Sequence, residues 1–398
     1  MKILLEHNSF PALILPRLLG HKAITGVLIG VFLLTTTACN GNNNQPTSPP
    51  AEEDAEEEVI EERLILENAT LNQVDEEGNN LWQLQVNRVV YRQDDQDAEL
   101  ETVSGEFYQD GEVFLQIEAN QGRIINDGEQ VNLEGEVVAT DPRNEAVLKS
   151  EVIQWLPQEN LLIIPEKMTG DHPRFNASAN EGKYYTDREE LELTGNVKGT
   201  SEDPPLNLEG EQFNWFVAED RVKSNKPLQV ERYDPETEEI SDRVTANSGS
   251  VNLTQRIVSL ENNVEFNATD PPLEAKSNAV TWNIERNLVS STQRLQLLHR
   301  EDRMRLSGNQ GEINLDTEIA EFEGNVRGVS EANQAKLSAN RLTWNLPTQE
   351  MEAQGNVVYE QNDPPITSRG EQASGNLSKE NMSVRGRQGE QVRTDFVP

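Results

Sequence analysis

Apolar and polar residues alternate along most of the chain after residue 63, which is the pattern of strands with one buried face. In several runs the alternation changes phase by one residue. One such run has its apolar or small positions at Leu273, Ala275 and Ser277, and then at Val280, Trp282 and Ile284. One extra residue within a strand is typical of a β-bulge or bend. Since no long window has a 3.6-residue period, the pattern predicts an all-β protein of bent strands.

These runs recur at a regular interval, which indicates an internal repeat. Four tryptophans lie 60, 67 and 62 residues apart, and each follows by 20 residues a triplet such as Gly135-Glu136-Val137. Ten markers share this phase, with four successive spacings of 31 at the end: Tyr91, Ile124, Trp155, Tyr184, Trp215, Val251, Trp282, Ile313, Trp344 and Gly375. The repeat predicts ten hairpin-sized units, or about twenty strands.

Units with a tryptophan alternate with units that have an aliphatic or tyrosine residue two positions after a glycine. The alternation predicts that successive hairpins enter two facing sheets with a shared apolar interior, as a long sandwich or open roll. Turns are expected at the Asp-Pro-Pro sequences, which begin at Asp203, Asp270 and Asp363.

The first 39 residues have the order of an export signal. Arg17 and Lys22 precede an apolar stretch that ends near Leu34, and a small-residue segment follows up to Cys39. Cys39 is therefore the predicted lipidation site of a lipoprotein; the other possibility is an uncleaved membrane helix. Residues 40–62 are polar and then strongly acidic, which predicts a solvated linker before a folded part that starts near residue 63.

Charge limits the classes of partner. The chain has a net charge of −36, and residues 1–38 contribute +2, so the exported part carries −38. Such a field repels phosphate backbones, so no nucleic acid is expected as a partner. No cofactor, metal site or catalytic residue is predicted. His299 stands beside Glu301 and Asp302, a pattern typical of a solvated turn.

The candidate ligand-contacting residues are the inward positions of the repeat: Trp155, Trp215, Trp282, Trp344, Leu133, Val137, Leu193, Val197, Leu260, Val264, Phe322 and Val326. They are either plain core or the lining of a lipid groove. Glycines occupy further inward positions at Gly135, Gly195, Gly324 and Gly355. Two explanations of these glycines are open: a furrow for an acyl chain, or a tight bend or bulge.

The phased Gly-Asn-Val triplets, each followed by a strand that ends in an aromatic residue, resemble the OstA-type β-jellyroll of the lipopolysaccharide transport system. The N-terminal third is similar to LptC, in the segments from Gly78 to Leu84 and from Gly105 to Tyr108, with a turn at Asp110-Gly111. The OstA-like pattern continues from about Glu118 to Gly386. The chain has roughly twice the repeats of one such jellyroll, so we expect either one continuous groove or two jellyrolls, at residues 63–230 and 231–398.

The resemblance implies a non-enzymatic, periplasmic bridge anchored to the inner membrane. Such a bridge binds lipopolysaccharide acyl chains and passes the lipid toward the outer membrane. It implies contact of the first strands, around Leu81 to Tyr91, with the membrane subunits of an ABC transporter, and strand addition by segment 371–393 to the next OstA-like protein. The alternatives are a structural or adhesive β-repeat lipoprotein and, third, a polysaccharide-active enzyme on a β-helix.

Overall fold

The structure is a computed structural model that describes residues 63–92, 97–234, 236–377, 379, 381–387 and 391–396. All described residues belong to one compact unit within Ile60–Pro398. Cys39, the export signal and the linker lie outside the described residues. Within them, the structure contains 28 strands and three short 3-10 turns, all strands being antiparallel members of one sheet. The predicted all-β jellyroll fold is confirmed.

The strands lie in chain order along the sheet. Strands β1 to β6 are Arg63–Val74, Asn80–Arg92, Ala98–Gln109, Glu112–Ile125, Gln130–Asp141 and Ala146–Leu156. Strands β7 to β16 are Leu161–Ile164, Met168–His172, Phe175–Ala179, Glu181–Tyr185, Glu190–Glu202, Pro205–Phe216, Arg221–Ser224, Leu228–Tyr233, Ile240–Ala246 and Ser248–Asn252. Strands β17 to β28 are Ile257–Ala268, Leu273–Asn283, Leu288–Ser291, Leu295–His299, Met304–Gly308, Gln310–Asn314, Ile319–Ser330, Lys336–Asn345, Glu350–Asn362, Pro365–Asn376, Asn381–Arg385 and Arg393–Phe396. The 3-10 turns are Asn126–Gly128, Pro157–Glu159 and Thr186–Arg188.

The described chain crosses the sheet 21 times, close to the predicted number of strands. Fourteen of these passes are single strands of ten or more residues, and seven are interrupted into two short strands, such as β7 with β8 and β9 with β10. The short strands of an interrupted pass pair with opposite ends of the same long strand: β6 pairs with both β7 and β8. Unbroken and interrupted pairs of passes alternate from β5 to β24, which is the physical basis of the two kinds of repeat unit.

One row of directly paired residues crosses all 21 passes and contains all ten markers of the repeat. The row is Leu64, Tyr91, Ala98, Ile124, Val131, Trp155, Leu162, Tyr184, Leu191, Trp215, Val222, Val251, Val258, Trp282, Val289, Ile313, Ala320, Trp344, Met351, Gly375 and Met382. Successive tryptophans are four passes apart, or roughly 19 Å at the usual strand separation of ~4.8 Å.

Each Gly-Asn-Val triplet forms a corner at which the strand bends. In β11, the pairing register with β12 shifts between Thr194 and Val197, and Gly195 and Asn196 both have positive φ angles, +78° and +47°. Equivalent register shifts lie before Val137, Val264, Val326 and Val357. These corners are the points where each long strand turns from one part of the sheet into another. The predicted phase change between Ser277 and Val280 lies on the partner strand, opposite the corner at Asn262-Asn263.

The corners divide the sheet into two halves that pack face to face. We call the half that contains the row of tryptophans the Trp half, and the half that begins at Val137, Val197, Val264, Val326 and Val357 the Val half. Ring contacts join them: Trp155 stacks on Phe107 with 5.6 Å between ring centroids, and Trp215 meets Phe175 edge-on at 5.0 Å. Two hydrophobic clusters fill the space between the halves, one spanning Trp82–Val289 and the other Ala268–Leu377.

Two expectations about strand placement are wrong in detail. Successive hairpins do not enter alternate sheets, because every pass from β2 to β26 contributes to both halves. Each long strand changes from one half to the other at its own corner. The segment from Leu81 to Tyr91 is not the N-terminal edge, since β1 pairs along β2 and covers it. Within the part of the chain that the structure describes, the edge strand is β1, where Leu64 and Ile65 are 58% and 45% exposed.

Candidate functional site: an apolar cavity between the halves

The structure buries eleven of the twelve predicted interior residues, and Trp215 is half-buried. Of the twelve, Leu193, Val197 and Trp215 line an apolar cavity. The other nine pack into the two hydrophobic clusters; Trp155 and Trp344 are each only 1% exposed. Whether any of the twelve contacts a lipid stays a prediction.

The cavity has a volume of about 220 Å³ and lies between the halves in the middle of the described chain. This exceeds the ~150 Å³ of an apolar cavity that holds benzene. On the Trp half its apolar wall is Leu193, Phe213, Trp215, Val222, Val251, Val258 and Ile284. On the Val half it is Phe175, Ala177, Val197, Leu206, Leu208 and Val230. The space is therefore large enough and apolar enough to hold a hydrocarbon group.

Side-chain size along the tryptophan row explains the position of the cavity. Between Trp155 and Trp215 the row consists of Leu162, Tyr184 and Leu191. Between Trp215 and Trp282 the same three places hold Val222, Val251 and Val258. Three valines fill less volume than two leucines and a tyrosine, and the facing half has Ala177 and Gly199 there. The smaller side chains of this repeat can be read from the sequence. Only the pairing register shows that the three valines lie next to one another.

Turns of both halves meet at the side of the cavity opposite the corners, which we call the mouth. A guanidinium nitrogen of Arg174, in the β8–β9 turn, lies 3.1 Å from a carboxylate oxygen of Asp220, in the β12–β13 turn. The Thr254 hydroxyl donates to the same carboxylate at 2.7 Å. A second, looser pair of opposite polarity joins Asp203 and Arg256 at 3.7 Å. Ion pairs between the halves therefore lie at the polar rim of an apolar site.

The surroundings of the Arg174–Asp220 pair shift the pKa of two side chains. Burial raises the pKa of Asp220, but the hydrogen bonds from Thr254 and Arg174 outweigh burial and leave the pKa below its usual value. The pKa of His172 is lowered, first by burial and then by the charge of Arg174, with Asp220 opposing. The carboxylate form of Asp220 and the neutral form of His172 are thus both favoured in the folded protein.

All four tryptophans of the repeat have indole N–H groups without a hydrogen-bond acceptor among the described residues. The buried Nε1 atoms are those of Trp155, Trp215, Trp282 and Trp344. In contrast, Nε1 of Trp82 donates to the side-chain oxygen of Gln73 at 2.8 Å. A buried donor without a partner costs about 1–3 kcal/mol. Sequence reasoning placed these side chains inward but had no means to assign their hydrogen bonds.

His299 is not on a solvated turn, as the neighbouring charges suggested. It ends β20, continues the inward alternation of Leu295 and Leu297, and is 6% exposed. Its ring meets Trp344 edge-on at 5.7 Å between centroids, and its Nδ1 lies 3.1 Å from a carboxylate oxygen of Asp302. The strand period therefore outweighs the local charge pattern at this position.

The corner glycines fit the bend explanation rather than the furrow. Gly135, Gly195, Gly324 and Gly355 have φ angles between +73° and +79°. A side chain at Gly195 would come within 2.8 Å of the amide nitrogen of Asn180, and asparagines fill the equivalent space at the other three corners. The space beside each glycine is already occupied, so it offers no channel for a hydrocarbon chain.

Among the described residues, no helix has the length and apolar character needed to cross a membrane. In the same part of the chain, no three His, Cys, Asp or Glu side chains are grouped as ligands for a metal ion.

Comparison with known proteins gives one finding. The profile of a protein family described as "LptC: Lipopolysaccharide-assembly, LptC-related" matches residues 30–202 and 207–331, together three-quarters of the chain. The match includes the wall residues of the cavity except Leu206, and it includes the Arg174–Asp220 pair. Asp203 of the second ion pair lies, like Leu206, between the two matched segments. A search of curated proteins found no match.

Proposed function

Because the chain belongs to the LptC-related family of lipopolysaccharide-assembly proteins, we propose that it is a periplasmic bridge that binds lipopolysaccharide acyl chains between the two halves of its sheet. Family membership itself indicates a part in lipopolysaccharide transport. The observation that supports acyl-chain binding is the apolar cavity beside Trp215.

The energetics favour an apolar ligand group. Each methylene transferred from water to an apolar site contributes about 0.8 kcal/mol. The exported part of the chain carries −38, so a lipid with an anionic head group is repelled at long range. Burial of its hydrocarbon in the cavity offsets this repulsion, since the hydrophobic term does not depend on charge.

The cavity makes the binding local. Trp155 and Trp344 lie in tightly packed regions, whereas Trp215 adjoins open space. We therefore propose a resting site near Trp215, with the halves separating elsewhere when an acyl chain passes. One continuous groove and two jellyrolls, at residues 63–230 and 231–398, are both consistent with this proposal.

The partners follow from the edges. The β1 edge, with exposed Leu64 and Ile65, is the proposed contact for the membrane subunits of the ABC transporter. The C-terminal edge, formed by β27 and β28, is the proposed contact for the next OstA-like protein by strand addition. We propose that Cys39 carries the lipid anchor in the inner membrane, and mass spectrometry of the mature N-terminus tests this.

A photo-crosslinking amino acid tests the site in cells. Placed at Phe213 or Trp215, it should capture lipopolysaccharide; placed at Asn214, the neighbouring position that faces away from the cavity, it should not. Thr281 provides a second outward control. Capture from Asn214 and Thr281 alone would reject the bridge and favour the structural or adhesive role.

A further inference from the structure

We propose that Arg256 binds the anionic group of an amphiphile whose hydrocarbon occupies the cavity, so that the mouth selects acidic lipids over neutral ones; this rests on the lipid-binding function proposed above. The ligand class is a phosphate or carboxylate joined to a hydrocarbon chain. Arg256 is then a specificity-determining residue at the polar rim of the cavity.

The cavity wall places Arg256 at this rim. Its carbonyl oxygen accepts a hydrogen bond from the backbone N–H of Ile284 at 3.0 Å, and both residues line the cavity. The side chain of Arg256 is 46% exposed. A head group that stands at the opening, with its hydrocarbon inside, can therefore reach the guanidinium from water.

The cavity is lined by three cationic side chains, and two of them are already engaged: Arg174, Lys198 and Arg256 are the three. One guanidinium nitrogen of Arg174 donates to both carboxylate oxygens of Asp220, at 3.1 and 3.3 Å. The amine of Lys198 lies 3.0 Å from a carboxylate oxygen of Glu209. Neither cation is free to meet a ligand without breaking a close contact.

Arg256 is held more loosely than the other two cations. Among the described residues its one ionic contact is with Asp203, at 3.7 Å, and the Asp203 side chain is 86% exposed. Exposed ion pairs contribute little, so a ligand can displace Asp203 at small cost. A phosphate or carboxylate matches the planar guanidinium with two acceptor oxygens, which gives a stronger contact than the one it replaces.

The charge and the hydrocarbon of such a ligand act together. The exported part of the chain carries −38 and repels an anion at long range. A cation at the opening lowers this cost at the place where the head group rests. Burial of the hydrocarbon contributes independently of charge, so a neutral amphiphile of equal chain length gains only the second effect.

The test uses octyl phosphate and 1-octanol, which share a hydrocarbon and differ in the head group. Calorimetry gives their affinities for the full chain and for two variants at constant ionic strength. We expect Arg256→Gln to lower the phosphate-to-alcohol affinity ratio about fivefold, the effect of one partly exposed ion pair. Asp203→Asn should raise the ratio, because it removes the carboxylate that competes for the guanidinium.

Arg286 provides a matched control for net charge. It lies in the adjoining turn between β18 and β19, is exposed, and does not line the cavity. Arg286→Gln removes the same charge and should leave the ratio unchanged. Equal losses in Arg256→Gln and Arg286→Gln would assign the selectivity to the overall field and overturn the inference.

Inorganic phosphate distinguishes a lipid head group from a free anion. It should bind far more weakly than octyl phosphate; binding as tight as that of octyl phosphate overturns the inference, since the site then needs no hydrocarbon. An unchanged ratio in Arg256→Gln also overturns the inference but leaves lipid binding intact. Absence of binding by both octyl probes overturns the inference and the lipid-binding function together.

Discussion

Arg174 and Asp220 connect the two halves of the sheet across the mouth of the cavity, with 3.1 Å between guanidinium nitrogen and carboxylate oxygen. The pair joins a turn of the Val half to a turn of the Trp half, so the halves cannot separate at this point while it is formed. Both side chains remain partly exposed, at 51% and 28%. Exposed ion pairs contribute only about 0–1 kcal/mol, which makes this connection easy to open.

We expect Arg174→Ser to speed the release of a fluorescent acyl probe by up to about fivefold, the equivalent of ~1 kcal/mol. Stopped-flow release measurements check this. High salt should bring the wild-type rate toward that of the variant, because salt screens exposed charges. Lys149→Ser, which breaks the exposed Lys149–Asp171 pair between β6 and β8, is the control. Equal rates for all three proteins would contradict a role for the pair in ligand exchange.

His172 should make stability depend on pH. Its pKa in the folded protein is lowered by burial and by Arg174, so its contribution is present above the unfolded pKa of about 6.5 and is lost as the pH falls through the folded value. We expect the difference in denaturant midpoint between wild type and His172→Phe to shrink or reverse from pH 8 to pH 5.5. Parallel pH profiles of the two proteins would count against it.

The corner glycines should be intolerant of a side chain. Gly195→Ala places a Cβ at a φ angle of +78° and within 2.8 Å of the amide of Asn180. We expect it to lower the free energy of unfolding by about 1–2 kcal/mol. Gly170→Ala in β8 is the control, since that glycine has an ordinary φ angle and no atom within 4 Å of the added Cβ. Denaturant titration compares the two, and a larger loss in Gly170→Ala would refute the assignment.

Tryptophans of the same row should differ in their contribution to stability. Trp344→Ala removes a fully buried ring and should cost about 3–5 kcal/mol. Trp215→Ala should cost less, because its ring is half-buried and already adjoins a cavity. Thermal unfolding of both variants gives the order. A larger loss for Trp215→Ala would mean that the cavity region is packed more tightly than the geometry indicates.

The sequence predicts the register of this protein well, because a strand period of two and a long repeat constrain each other. All ten markers, from Tyr91 to Gly375, lie on one paired row, and the Gly-Asn-Val triplets lie at bulges. A residue out of phase would turn its side chain to the other face of the sheet. Alternation therefore predicts which side chains point inward without knowledge of any contact.

Contacts between the halves could not be predicted in the same way. Alternation cannot distinguish a packed interior from one with space, so it gave Trp155 and Trp215 the same role. The difference comes from three valines that adjoin only through pairing across four passes. Likewise, the Arg174–Asp220 pair joins turns 46 residues apart, and no local pattern connects them.

The continuous row of paired residues from Leu64 to Met382 has a consequence for how such a protein can change in length. Duplication or loss of a block of four passes restores the same phase, so each event would alter the reach by roughly 19 Å and leave every remaining side chain on its original face. A protein with this architecture can therefore gain or lose whole blocks without redesign of its interior.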